Sequence, residues 1–390
     1  MLHFKPSWLQ TCRSVTASLA QNGPVCKLDT QFFVHSYSTQ SQKHSASDIA
    51  SSFMEKFQTI GPQKRTQILD ANQLQLLSLT LNKNTLYPNS PPLSLLSSQS
   101  ANETTTTPPD GTPVPPGYHL VYFTPQFLEE HLGQDGTDVS YNPDPPFTRR
   151  MWAGGEMLWP RMKGSERPNL LRVGQTVTET TRLLSAEPKI IKKSGEEMVV
   201  VGVEKTFENE DGVALIDKRN WVFREALKGL SPKETSSPEK TSLKPQDQER
   251  HGSSVSGSPI PSIPFTPANK TYTRRLKQSP VTLFRFSALT FNPHKIHYSV
   301  PWAQDVEGHR NIVVHGPLNL ISMLDFWRET RKEGERYPEH TVPESVKYRA
   351  TNPLYADEEY HIVLEDELKN SKVNIYNPEG KVSMNAEIIG

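Results

Sequence analysis

Phe286 to Trp327 reads FSALTFNPHKIHYSVPWAQDVEGHRNIVVHGPLNLISMLDFW, and the rest of the chain is understood from this stretch. It holds His294, His297, His309 and His315, four of the twelve histidines in 390 residues, behind an Asn292-Pro293 turn. The apolar run Asn311–Val314 has the character of a strand and stops at His315-Gly316-Pro317. Beyond it, Leu320, Leu324 and Trp327 recur at helical spacing and predict a helix over 317–330. Pro317 suits the first turn, where a missing N–H costs nothing. Gly316 permits close approach to the backbone, and the N–H groups of that turn have no partner inside the helix. A histidine-rich loop thus abuts a helix N-terminus able to hold an oxyanion, which are the parts of an active site.

Four segments carry a family resemblance: Phe286–Asn292 (FSALTFN), His294–Tyr298 (HKIHY), Val314–Leu318 (VHGPL) and Arg149–Gly155 (RRMWAGG). Together they resemble the MaoC-like hydratases and dehydratases, in the hydroxyacyl-thioester dehydratase type 2 branch that includes mesaconyl-CoA hydratases and fungal-type mitochondrial members. The resemblance covers most of 115–225 and 275–390. It implies an α+β double hotdog, two antiparallel sheets each wrapped around a central helix, with disordered inserts. It also implies a hydro-lyase acting on acyl thioesters carried by acyl carrier protein or CoA, without a cofactor or a metal.

In the family an Asp and a His flank an Asn-Pro turn and transfer protons, while a helix-start Gly N–H binds the thioester carbonyl. The His carries over to His297, the Gly to Gly316 and the Asn-Pro to Asn292-Pro293. The usual Asp is missing: Leu289-Thr290-Phe291 stands in its place, with an apparent insertion at His294-Lys295. His297 is therefore expected to act as base, assisted by Asn292, with His294 or Thr290 binding the hydroxyl or water. His315 is assigned beside Gly316 at the oxyanion site, although a structural hydrogen bond before the helix is its plainer reading. His294-x-x-His297 with Asp305 or Glu307 is too loosely spaced for a metal site.

Residues 1–28 contain no Asp or Glu, carry Lys5, Arg13 and Lys27, and can place Trp8, Leu9, Val15 and Leu19 on one helical face. That composition predicts a mitochondrial transit peptide over 1–38 and a matrix location. Both cysteines, Cys12 and Cys26, fall inside it, so its removal would leave neither a disulfide nor a thiolate nucleophile. The net charge of zero gives no sign of a nucleic-acid partner, and no apolar run reaches the ~18 residues of a membrane span.

A first hotdog half is expected over 46–228, interrupted by a Ser/Thr/Pro-rich insert at 84–116. Its periodicity predicts helices within 46–83, with Asp70 as a cap, and strand character at Tyr118–Phe123, where His119 reads as structural. Trp152, Gly154 and Gly155 read as packing residues beside the central helix. Arg149 and Arg150 are equally suited to packing or to binding the phosphopantetheine phosphate. Strands follow at Gln175–Leu184, Pro188–Lys193, Met198–Phe207 and Val213–Phe223, separated by Ser-Gly and Asp-Gly turns. This half has no histidine cluster and is expected to be catalytically silent. Residues 229–270, rich in Lys, Glu, Ser and Pro, read as a disordered linker. The catalytic half follows over 271–390, and whether the double hotdog dimerises further stays open.

Overall fold

The computed structural model describes residues 45–87, 90–94, 107–192, 194–226, 270–331, 341–367 and 369–390. The expected 1–38 leader and, apart from Lys270, the 229–270 linker lie outside the described residues. Helix α1 (Ala46–Ile60) starts on a capping box between Ser45 and Asp48, and α2 (Ala71–Thr80) starts on Asp70, whose carboxylate accepts from the Gln73 N–H. Strand β1 (Gln63–Ile68) lies between them. Four long strands complete the first half: β2 (Arg149–Leu158), β3 (Thr176–Ile190), β4 (Glu197–Asn209) and β5 (Gly212–Arg224). In the second half β6 (Lys270–Lys277) is followed by α3 (Pro280–Leu289) and α4 (Gly316–Glu329). Strands β7 (Ser345–Ala350), β8 (Glu359–Glu367), β9 (Asn370–Tyr376) and β10 (Val382–Ile389) close the chain.

The strands form one ten-stranded sheet in the order β1-β3-β4-β5-β2-β7-β10-β9-β8-β6. Read outward from the centre, the two halves have the same connectivity: second strand, fifth, fourth, third, first. This is the double hotdog, its two five-stranded sheets joined edge to edge by antiparallel pairing of β2 with β7.

Helix α4 lies at the core. Every residue from Leu318 to Arg328 is buried, which fits a helix surrounded by protein rather than one resting on a surface. Its polar groups are answered by the first half. Asp325 accepts from the Tyr118 hydroxyl at 3.0 Å and pairs with Lys83 at 2.7 Å, while Arg328 donates to the Leu86 carbonyl at 3.1 Å. A smaller cluster sets Ile49 and Phe53 of α1 against Val199, Val201 and Phe223.

Some expectations are corrected. Tyr118–Val121 is a 3-10 turn, not a strand; Gly117 turns the backbone at φ 85° and passes close to Ile321 and Leu324 of α4. Among the described residues this turn and α2 stand where α3 and α4 stand in the second half. The run Asn311–Val314 makes only one isolated bridge, Val313 to Tyr355, because its N–H groups are shared between the Ile296 and Leu354 carbonyls. The strands expected at Gln175–Leu184 and from Pro188 merge into a single strand, β3, which ends at Ile190 and whose register shifts between Leu183 and Ser185. Arg149–Gly155 lies in the central strand β2, from which Trp152 packs at the start of α4.

Leu320 is completely buried at the middle of α4. Leu320→Ala is expected to cost about 2–5 kcal/mol of stability, read as a lower denaturant midpoint at unchanged slope.

Candidate active site

The site begins where α3 ends. The Thr290 hydroxyl donates to the Phe286 carbonyl at 2.7 Å, and Phe291 adopts a left-handed conformation at φ 48°. For a bulky residue this costs about 1–2 kcal/mol, and it turns the chain sharply into Asn292-Pro293. Asn292 Oδ1 accepts from the His294 N–H at 3.3 Å, and a single 3-10 turn, Lys295–His297, brings His297 round beside His294. The two rings meet edge to face with centroids 5.3 Å apart.

His297 is held by a 2.8 Å hydrogen bond from Nδ1 to the Val313 carbonyl. A carbonyl can only accept, so Nδ1 carries the proton and Nε2 the lone pair. The ring stacks on His315 at 3.5 Å and 20°. His315 immediately precedes α4, pairs through Nε2 with Ser287 Oγ at 2.9 Å and lies edge-on to Phe286. Burial draws the pKa of His297 down to about 4, against the Val313 bond that favours its charged form. His294 and His315 are held well below the usual histidine range, first by burial and then by neighbouring histidines. All three are neutral imidazoles at physiological pH.

The first half reaches into the same place. A loop at 133–137 packs on the Asn292–Lys295 turn: the Asp135 carbonyl accepts the Lys295 N–H at 2.8 Å, and the Gln134 carbonyl accepts from Lys295 Nζ at 2.5 Å. Gly136 has φ 83°, and a Cβ there would sit 2.2 Å from the Pro293 carbonyl oxygen, so only glycine allows this approach. Asp135 Oδ2 lies 3.6 Å from His294 Nε2. From β2, the Trp152 indole packs on Gly316, whose absent Cβ would stand 3.1 Å from the ring.

The histidines and the start of α4 line one cavity of about 850 Å³, within the usual range for a small-molecule site. Thr290, Asn292, His294, His297, His315 and Gly316 all reach it, so the structure brings together every residue that the sequence assigns to proton transfer and oxyanion binding. Their roles differ in detail. The Thr290 proton is committed to a backbone carbonyl, and Asn292 braces the turn rather than bonding to His297. Among the described residues no three His, Cys, Asp or Glu side chains are placed to hold a metal ion together.

Arg149 and Arg150 also line the cavity. The Arg149 guanidinium is paired with half-buried Glu307 at 2.6 Å. Arg150 stacks over Trp221 at 5.3 Å, and among the described residues no carboxylate lies within 4.0 Å of it. His119 is a structural residue, buried and bonded to Asp217 at 3.2 Å. The first half is therefore not a bystander: Asp135, Arg150 and Trp152 border the histidines. The pairing of Arg149 with Glu307 and of Asp135 with His294 spans more than a hundred residues and leaves no local signal in the sequence.

In the unfolded chain His297 titrates near pH 6.5, and in the fold near 4. Between those values the unfolded state binds the extra proton, so the stability present above about pH 6.5 falls as the pH drops. The contribution of His297 is on the order of 3 kcal/mol. His297→Gln is expected to lose less stability between pH 7 and pH 5 than the natural chain, measured by denaturant unfolding at both pH values.

Comparison with known proteins follows the same lines. The family model for hydroxyacyl-thioester dehydratase type 2 matches residues 117–259 and 252–356. Mesaconyl-C(4)-CoA hydratase from Chloroflexus aurantiacus is 25% identical over 293 residues, 72% of this chain and 87% of the relative. The mitochondrial hydroxyacyl-thioester dehydratase type 2 of Schizosaccharomyces pombe is 24% identical, covering 65% of this chain and 79% of the relative. A solved MaoC-like dehydratase superposes with a TM-score of 0.52 at 12% identity, over 84% of this chain and 96% of that one, and supports the fold. With the family match spanning both halves, the chain belongs to the hydroxyacyl-thioester dehydratase type 2 family.

Proposed function

We propose that the chain eliminates water reversibly from (3R)-3-hydroxyacyl thioesters on acyl carrier protein, giving trans-2-enoyl thioesters in the type II fatty acid synthesis of the mitochondrial matrix. The observation that carries this reading is His297: Nδ1 is fixed on a carbonyl, Nε2 bears the lone pair, and the ring stands in the same cavity as Gly316. A thioester carbonyl oxygen at the N-terminus of α4 would be stabilised as negative charge develops on it, which acidifies the C2 proton. His297 Nε2 takes that proton. His294 holds the C3 hydroxyl as it departs. The mitochondrial assignment rests on the leader composition and on the name of the Schizosaccharomyces pombe relative.

A second reading, hydration of a CoA thioester with a short branched or dicarboxylic acyl group, has its own support. The cavity wall contributed by the first half is charged: Glu179 pairs with Arg65 at 2.7 Å and with Lys205 at 3.0 Å, and Arg219 stands beside them. Such a wall suits a polar acyl end, and one relative is named for a CoA hydratase.

Turnover of 3-hydroxyacyl thioesters, followed through enoyl absorbance, tests the reaction. The protein lacking residues 1–38 should be active, and His297→Ala should lose about a hundredfold or more in kcat/KM. Comparison of acyl carrier protein and CoA substrates, and of methyl-ended with carboxyl-ended acyl groups, separates the two readings. An inactive protein that binds acyl thioesters tightly would make the chain a scaffold, and release of free thiol would make it a thioesterase.

A further inference from the structure

We infer that Asp135 is the positioning residue that replaces the carboxylate missing beside Asn292-Pro293, and that it acts from the other half of the molecule through His294. The inference rests on the proposed elimination. The Asp135 side chain is fixed before it meets the histidine: Oδ1 accepts from the Thr137 N–H at 2.9 Å and from the Thr137 hydroxyl at 2.7 Å, leaving Oδ2 to face His294 Nε2. Thr137 is itself buried. The loop cannot drift, because Gly136 lies against the Pro293 carbonyl and Lys295 is bonded to both Gln134 and Asp135.

The charge environment calls for such a group. His297, His309, Arg150 and Arg149 all disfavour a proton on His294. Among the described residues Asp135 is the one carboxylate within 4.0 Å of the ring. The 3.6 Å separation exceeds a hydrogen bond, and contacts of this kind shorten in the substrate complex. With Nε2–H directed at Asp135, Nδ1 is left as the atom that meets the C3 oxygen. In the elimination the C2–H bond breaks and its proton goes to His297 Nε2. The C3–O bond breaks and the oxygen leaves as water, taking the proton that His297 Nε2 received from C2, while the lone pair of His294 Nδ1 accepts the C3 hydroxyl proton in a hydrogen bond and holds the departing oxygen in place. Both rings end neutral, as they began.

The test is Asp135→Asn, read by ring 15N shifts of His294 in the whole chain (assigned with His294→Gln) and by the pH profile of kcat. The introduced carboxamide would keep its oxygen on Thr137 and present its NH2 group to His294. The natural chain is expected to show His294 as the Nε2–H tautomer. The variant should invert it to Nδ1–H and lower its pKa by about one unit. It should also lose on the order of a hundredfold in kcat with little change in KM. A His294 tautomer and titration indifferent to the substitution would overturn the inference, as would a spectroscopic change with undiminished kcat. A spectroscopic change in a chain inactive on every 3-hydroxyacyl thioester would instead overturn the proposed reaction and leave Asp135 as the partner of His294.

Discussion

The structure depends on the pairing of β2 with β7, which runs from Gly154 opposite Arg349 to Leu158 opposite Ser345. Each five-stranded half would otherwise end in an open edge with unpaired N–H and C=O groups. Joining them removes two edges and fixes one half against the other within the reach of side chains. The seam is tight: Gly154 has φ 150°, and a Cβ there would lie 2.4 Å from the Tyr348 carbonyl oxygen of β7, so β2 can be the central strand only with glycine there. A register shift between Trp152 and Gly154 in its pairing with β5 accompanies the placement of the Trp152 indole on Gly316, at the start of α4. Backbone pairing at the seam thereby shapes the wall of the cavity.

The chemistry follows from burial. Three histidines within one small volume would repel one another if charged, and removal from water keeps all of them neutral. Neutrality is what a base needs, and the Val313 carbonyl decides which nitrogen of His297 offers its lone pair. The same burial makes the fold sensitive to acid. Stability is given up at low pH in return for a base that is ready at neutral pH.

Much of this was legible in the sequence. The helix expected over 317–330 is α4, Gly316–Glu329, because Leu320, Leu324 and Trp327 keep their period and Pro317 marks the start. The strand expected over Met198–Phe207 lies within β4, Glu197–Asn209. The Asn292–His297 turn was recognisable because its chemistry is local. Tyr118–Phe123 misled because an apolar run without period suits a strand or a turn equally, and only the approach of Gly117 to α4 decides between them. Asn311–Val314 is apolar because it is buried between two segments, not because it pairs in the sheet. Asp135 could not be read at all. It sits in a loop with no periodicity, and its partner lies in the other half of the chain.

The central claim is that this chain adds and removes water across C2 and C3 of an acyl thioester. Its most direct test is isotope incorporation: a trans-2-enoyl thioester incubated with the protein in deuterated, 18O-enriched water and examined by mass spectrometry. The account predicts one deuterium at C2 and one 18O at C3, with the thioester intact. An enoyl thioester recovered without either isotope, or hydrolysed to an 18O-labelled acid, would contradict it.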